Sequence, residues 1–308
     1  MKTVTKMFAV AIALISTFAI LESCQKQENE AASPTPASES FFKKPSEITN
    51  NAYLGGMRLP DNSKVTSTDK SQLQVEFPEG IVFISNDDKG NIAQTSMMGY
   101  SCTCSGRGGC DVYEVKVDGK LTYGCAEGSC SATCSGTKTK EARYSNVGSI
   151  FTDDMFLKGG FVNLKSRFRV LSNSESLSDD LKTPNFQTLM SLDAFRNGFD
   201  DFVLKAYGVS SFSEINPDKI TTLKVGVEIF GVKMIMQLPK DYVDNYTKNA
   251  RTSGTLKIAN AEPTCNCNSG TSGCIKEEIT RLGGTVHVAW KCTGGSCTSC
   301  EMKTNHQQ

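Results

Sequence analysis

Histidine, tryptophan and net charge are all scarce in this chain. Of its 308 residues two are histidine and one is tryptophan, and 33 basic side chains face 33 acidic ones. Without a basic excess the chain lacks the electrostatic footprint of a nucleic-acid binder. One of the two histidines, His306, lies in a polar C-terminal tail, which leaves little for histidine-based acid–base or metal chemistry. There is no glycine-rich phosphate loop, no H-E-x-x-H and no G-x-S-x-G, so the familiar phosphate-binding, zinc-protease and serine-hydrolase sites are not written here. Beyond residue 21 no run is long and apolar enough to span a bilayer, which takes about 20 apolar residues. At 38% the hydrophobic fraction is low, and it predicts small cores helped by covalent staples.

The longest apolar run opens the chain: MKTVTKMFAVAIALISTFAILESC. Lys2 and Lys6 give a positive start, and Phe8 to Leu21 is apolar apart from Ser16 and Thr17. This is the pattern of a signal peptide over 1–23 rather than of a spanning helix. It ends in Leu21-Glu22-Ser23-Cys24. That ending resembles the lipobox of bacterial lipoproteins, in the relaxed form seen in Bacteroidota, with Glu22 where a small residue is usual. The resemblance implies cleavage before Cys24 and a diacylglycerol thioether on its sulfur. Gln25 after the cysteine is compatible with outer-membrane sorting. Lys26, Glu28 and Glu30 resemble the surface-export signal of the same group, which extends the expectation to the cell surface. Residues 24–47 are rich in proline, serine, alanine and charge, and cannot bury enough apolar surface to offset ordering. They read as a flexible tether with a reach of roughly 25 Å.

Thirteen cysteines are present. Setting Cys24 aside leaves twelve in two groups of six. The first holds Cys102, Cys104, Cys110, Cys125, Cys130 and Cys134; the second holds Cys265, Cys267, Cys274, Cys292, Cys297 and Cys300. Both run C-x-C, a Gly/Ser loop, C, a longer stretch, C-x4-C and a last cysteine. This is an internal repeat. Within each group strand-like text flanks a turn signal, EVKV-Asp118-Gly119-KLTY in the first and EEITRL-Gly283-Gly284-TVHVAW in the second. Two-residue turns would place Glu114 opposite Tyr123 and Glu277 opposite Trp290. They would also bring Cys110 near Cys125 and Cys274 near Cys292, as candidates for cross-hairpin bonds. Cysteines two apart bond to each other only with strain, so each C-x-C member is expected to reach a distant partner, and the connectivity is otherwise open.

Upstream lie LQVEFPEGIVFIS (73–85) and TLKVGVEIFGVKMIMQL (222–238), the latter reading as two strands bent at Gly231. Between the groups, Pro184 to Tyr207 places Leu192, Phe195, Phe199, Phe202, Val203 and Ala206 on one helical face. Thr183 is the expected cap, Gly208 the expected stop and Gly198 a weak point. A phenylalanine stripe at this spacing is expected to pack into a core. The acidic pairs Asp153-Asp154, Asp179-Asp180 and Asp200-Asp201 read as solvated surface.

The expected fold is therefore α+β, mainly antiparallel β, with two cysteine-stapled β-hairpin units and an intervening helical segment. The units span 48–136 and 222–302, joined by a connector over 137–221 with its helix near 184–207, and a polar tail covers 303–308. An export address favours disulfides for the twelve cysteines. The rival is a copper or zinc thiolate cluster on the same cysteine sets. His287 in the second group has no counterpart in the first and is a poor shared ligand. Tyr123 and Trp290, each two residues before a cysteine, are candidates for a ligand platform or for packing against a disulfide. The functional expectation is a non-enzymatic envelope or surface lipoprotein with a binding or scaffold role and no cofactor. Its partners would be the membrane, through the lipid, and an envelope protein, peptide or glycan. Metal binding and an enzyme with an unrecognised site are the alternatives.

Overall fold

The computed structural model describes residues 47–139, 153–179, 181–249, 256–259, 261–270, 273–282, 286–294 and 297–304. The signal segment, Cys24, nearly all of the tether, Asp180, the Gly283-Gly284 turn and His306 lie outside the described residues. The chain divides into two units, Met1–Glu39 and Ser40–Gln308, and every described residue belongs to the second.

Alternating and β-branched text produces most of the structure. In the first half the strands are β1 (Glu47–Thr49), β2 (Ala52–Leu54), β3 (Met57–Arg58), β4 (Ser63–Asp69), β5 (Gln72–Glu76), β6 (Ile81–Asn86), β7 (Ile92–Thr95), β8 (Met97–Cys104), β9 (Cys110–Val117), β10 (Lys120–Glu127) and β11 (Cys134–Thr139). Helix α1 (Asp153–Lys158) and strands β12 (Gly160–Asn163) and β13 (Arg169–Val170) lead to helices α2 (Phe186–Ser191) and α3 (Asp193–Tyr207). Then come β14 (Thr222–Ile229), β15 (Val232–Pro239), α4 (Lys240–Asn249), β16 (Ile258–Ala259), β17 (Thr264–Gly270), β18 (Cys274–Leu282), β19 (Val286–Gly294) and β20 (Cys297–Lys303). The class is α+β, mainly antiparallel β. Among the described pairings only β2 with β10 is parallel.

Two sheets hold the first cysteine group. One is ordered β1-β4-β5-β8-β11 and the other β3-β2-β10-β9. The second group lies partly in a sheet ordered β13-β14-β15-β19-β18, with β16 beside β14, and partly in the separate pair β17-β20. A three-stranded sheet, β12-β6-β7, completes the set.

The expected bend at Gly231 is a hairpin turn. Phe230 and Gly231 both have positive φ, 52° and 80°, and Ile229 pairs with Val232 across them. Asp118 and Gly119 make the equivalent turn in the first cysteine group.

The phenylalanine stripe does pack into a core. Phe195, Phe199, Phe202, Val203 and Ala206 are buried against β14, β15 and β6 side chains. Two local details differ from the sequence reading. The helix breaks at Leu192, whose ψ of 112° is extended, giving two helices. The cap of α2 is Asn185, whose side chain accepts from the Thr188 N–H, while the Thr183 hydroxyl donates instead to Asp179 at 2.7 Å. Gly208 ends α3 in the left-handed conformation as expected. Gly198, a propensity cost of about 1 kcal/mol within a helix, has a packing reason. A Cβ there would lie 2.7 Å from the Phe230 ring, which packs against Phe195.

Candidate functional site: the stapled modules and an adjoining cavity

All twelve cysteines of the two groups are paired in six disulfides. In the first module the bonds are Cys102–Cys125, Cys104–Cys130 and Cys110–Cys134. In the second they are Cys265–Cys292, Cys267–Cys297 and Cys274–Cys300. Both modules join first to fourth, second to fifth and third to sixth. Each C-x-C member reaches a distant partner.

The cross-hairpin bonds expected from the turns, Cys110 with Cys125 and Cys274 with Cys292, do not occur. The reason is register. Cys125 stands opposite Val112 and Cys110 opposite Glu127, so the two cysteines are offset diagonally along the ladder. The second hairpin repeats the offset, with Cys292 opposite Lys276 and Cys274 opposite Gly294. The free partners come from the flanking strands. β8 lies antiparallel to β11 with Cys104 opposite Cys134, and β17 lies antiparallel to β20 with Cys267 opposite Cys300. The repeat therefore extends from cysteine order to strand register.

Glu114 is opposite Tyr123, as the Asp118-Gly119 turn requires. The second hairpin corrects its counterpart: Trp290 is opposite Glu278, and Glu277 is opposite Lys291. Leu282 pairs with Val286, which leaves three residues between the strand ends where a tight turn has two; the irregularity at Thr280 is local, and the one-residue offset persists through Ile279, Glu278 and Glu277. Counted from the third cysteine, the acidic residue opposite the aromatic ring is the fourth in both modules.

Tyr123 and Trp290 are buried, at 0% and 1% exposure, and neither ring offers a surface platform. Tyr123 packs in one core cluster with Cys102, Cys110 and Met98. Trp290 packs in another with Cys292, Met302 and Ile235. Lys224 lies over the Trp290 ring at 5.2 Å. His287 faces the Glu278 carboxylate at 2.8 Å.

Three sulfurs converge in each module. Cys104, Cys110 and Cys130 lie within 4.8 Å of one another, as do Cys267, Cys274 and Cys297. The disulfides consume these sulfurs, whereas a soft metal needs thiolates.

Next to the second module is a buried charged arrangement that composition and motif reading did not single out. Lys291 is fully buried. Its ammonium donates to the Pro184 carbonyl at 3.0 Å and lies 3.9 Å from Glu277, whose carboxylate also accepts from the Phe186 N–H at 3.1 Å. The cross-strand pair Glu277–Lys291 thus clasps the start of α2. Burial pushes the Lys291 ammonium down, with Asp179 and Glu277 working against that. Burial pushes the Asp179 carboxyl up, with Lys291 and its hydrogen bonds opposing. Asp179 accepts from the Lys233 N–H at 3.2 Å as well as from Thr183, so it is not the solvated residue expected of an Asp-Asp pair. Asp200 also has a partner, the Arg281 guanidinium at 2.9 Å.

A cavity of about 320 Å³ adjoins Asp179. Its lining combines the apolar side chains of Ile81, Phe161, Val162 and Leu181 with the charged ones of Arg169, Asp179, Glu228 and Lys233. Its lining comes from five separate stretches of chain, which is why no local pattern announced it. Among the described residues no helix is long and apolar enough to cross a membrane. Comparison of the chain with protein-family models, with curated proteins and with solved structures finds no match to any of them.

Proposed function

We propose that this chain is an exported, lipid-anchored envelope protein with a non-enzymatic binding or scaffold role, displayed from an outer membrane on a flexible tether. The observation that carries this reading is the cysteine account. Six disulfides take up twelve of thirteen cysteines, and the one left over is Cys24, at the end of a signal-type segment. Disulfides persist in oxidising compartments, in line with export. The paired modules supply rigidity to a chain of low hydrophobic content, and their aromatic residues serve packing. Incorporation of labelled palmitate tests the anchor. The expected result is a labelled mature chain whose label disappears in Cys24→Ser; an unlabelled chain cleaved elsewhere would overturn the reading.

The second reading is extracytoplasmic binding of copper or zinc. It draws on the convergence of three sulfurs at equivalent places in both modules. It requires those cysteines to be reduced in the native protein. Thiol titration of the untreated chain separates the two: about zero titratable thiols favours the stapled scaffold, and thiols appearing together with stoichiometric metal after chelation favours the metal site.

A further inference from the structure

Part of the charged lining of the cavity is built at the tip of the β14–β15 hairpin. Glu228 and Lys233 are register partners, one step from the Phe230-Gly231 turn. Opposite charges at directly facing cross-strand positions are close enough to pair. Here they are held apart. The Lys233 ammonium turns to the Ser178 carbonyl, 3.2 Å away, and the Glu228 carboxylate turns to the Arg169 guanidinium at 2.7 Å. An ammonium has three donors, so among the described residues Lys233 keeps two without a hydrogen bond, and the second oxygen of Glu228 has none either. Arg169 is held between Glu228 and Glu175, which fixes its guanidinium at the side of this pair.

The charged side chains that line the cavity balance, two cations (Arg169, Lys233) against two carboxylates (Asp179, Glu228). A ligand of net charge would bring an uncompensated charge into a half-buried site, which is costly. A ligand with one charge of each sign, close together, would engage both unspent groups at once. The apolar part of the lining, Ile81, Phe161, Val162 and Leu181, would take an apolar body. The volume is at the lower end of small-molecule sites.

We propose that this cavity binds a small zwitterion of the α-amino-acid type, its carboxylate on Lys233, its ammonium on Glu228 and its side chain on the apolar part of the lining. This deepens the binding role proposed above and names a ligand class for it. The probe is L-leucine, titrated into the full chain in detergent and followed by calorimetry. Saturable one-to-one binding is expected. Affinity should fall about tenfold or more when either charge of the probe is blocked, as in N-acetyl-leucine and leucine methyl ester. Lys233→Gln and Glu228→Gln should each weaken leucine by a similar factor. Lys233→Gln is the milder variant, because the Lys233 ammonium hydrogen-bonds a backbone carbonyl and acts on Asp179 through charge alone, whereas Glu228 is paired directly with Arg169. Absence of binding by leucine, glycine and phenylalanine, or equal binding of the blocked analogues, would overturn the proposal. Palmitate labelling reports on the anchor alone. A labelled chain whose cavity stays empty refutes this inference and leaves the lipoprotein standing, and an unlabelled chain that binds leucine does the reverse.

Discussion

The two cysteine modules share their connectivity and their strand register, yet they are mounted differently. The first docks through its C-x-C strand, β8 on β5, and through β10 on β2. The second docks through its hairpin, β19 on β15, with Ile235 opposite Trp290. The side chains that fill equivalent places follow the mounting. Gly136, two residues after the last cysteine of the first module, leaves room for Tyr100, whose hydroxyl would lie 1.9 Å from an added Cβ. The equivalent position in the second module is Met302, which is buried, and the residue in Tyr100's place is Pro263. Bulk has moved from one strand of the pair to the other. The staples define a common frame, and the packing around each frame is particular to its neighbours.

The aromatic anchors give the largest expected effects. Trp290→Ala and Tyr123→Ala should each cost about 3–5 kcal/mol in urea unfolding. If the modules are independently mounted, Trp290→Ala should first expose amides of β15 and β19 to hydrogen exchange, and Tyr123→Ala those of β2 and β10. Identical exchange patterns would break the comparison. Next come the staples. Removing Cys102–Cys125 or Cys265–Cys292 as Ala pairs should cost about 2–4 kcal/mol each, since the bonded residues are 23 and 27 apart and the entropic terms are similar. Thermal unfolding of the two double variants measures this directly.

Overpacking is expected to cost less, about 1–3 kcal/mol. Gly136→Ala should destabilise by that amount through Tyr100, and Gly198→Ala should do the same through Phe230 despite the better helix propensity of alanine. Stabilisation by Gly198→Ala would mean that the Phe230 ring moves aside without cost. The smallest effect concerns acid. Burial works to raise the Glu175 carboxyl, but the Ser172 N–H and the Arg169 guanidinium outweigh it and hold it down at about 2. A depressed carboxyl contributes stability that is present above the ordinary value of about 4.3 and lost as pH falls toward 2. Arg169→Gln should flatten the fall in urea midpoint between pH 5 and pH 3.

Much of this was legible in the residues. Cysteine order alone exposed the repeat, and Asp118-Gly119 fixed the register of Glu114 with Tyr123. The phenylalanine spacing located the buried face of α3. The failures have a common cause. Sequence distance from a turn says which residues face one another only if the turn length is known, and in the second hairpin it was one residue off. Disulfide partners depend on β8–β11 and β17–β20, strands that meet across some 30 residues and that no local signal pairs. The break at Leu192 was hidden because no glycine or proline marks it. Asp179 read as a solvated charge and nothing marked Lys291, since burial of a charge is decided by tertiary neighbours. The cavity, assembled from five stretches, left no trace in any one of them.

The two modules carry the same first-to-fourth, second-to-fifth, third-to-sixth pairing, on which their shared frame depends. Proteolysis of the unreduced chain followed by mass spectrometry of the linked peptides tests it. Cys102–Cys125, Cys104–Cys130 and Cys110–Cys134, with Cys265–Cys292, Cys267–Cys297 and Cys274–Cys300, are the expected links. Recovery of Cys110–Cys125 or Cys274–Cys292, of links between the modules, or of free cysteines at these positions would contradict it.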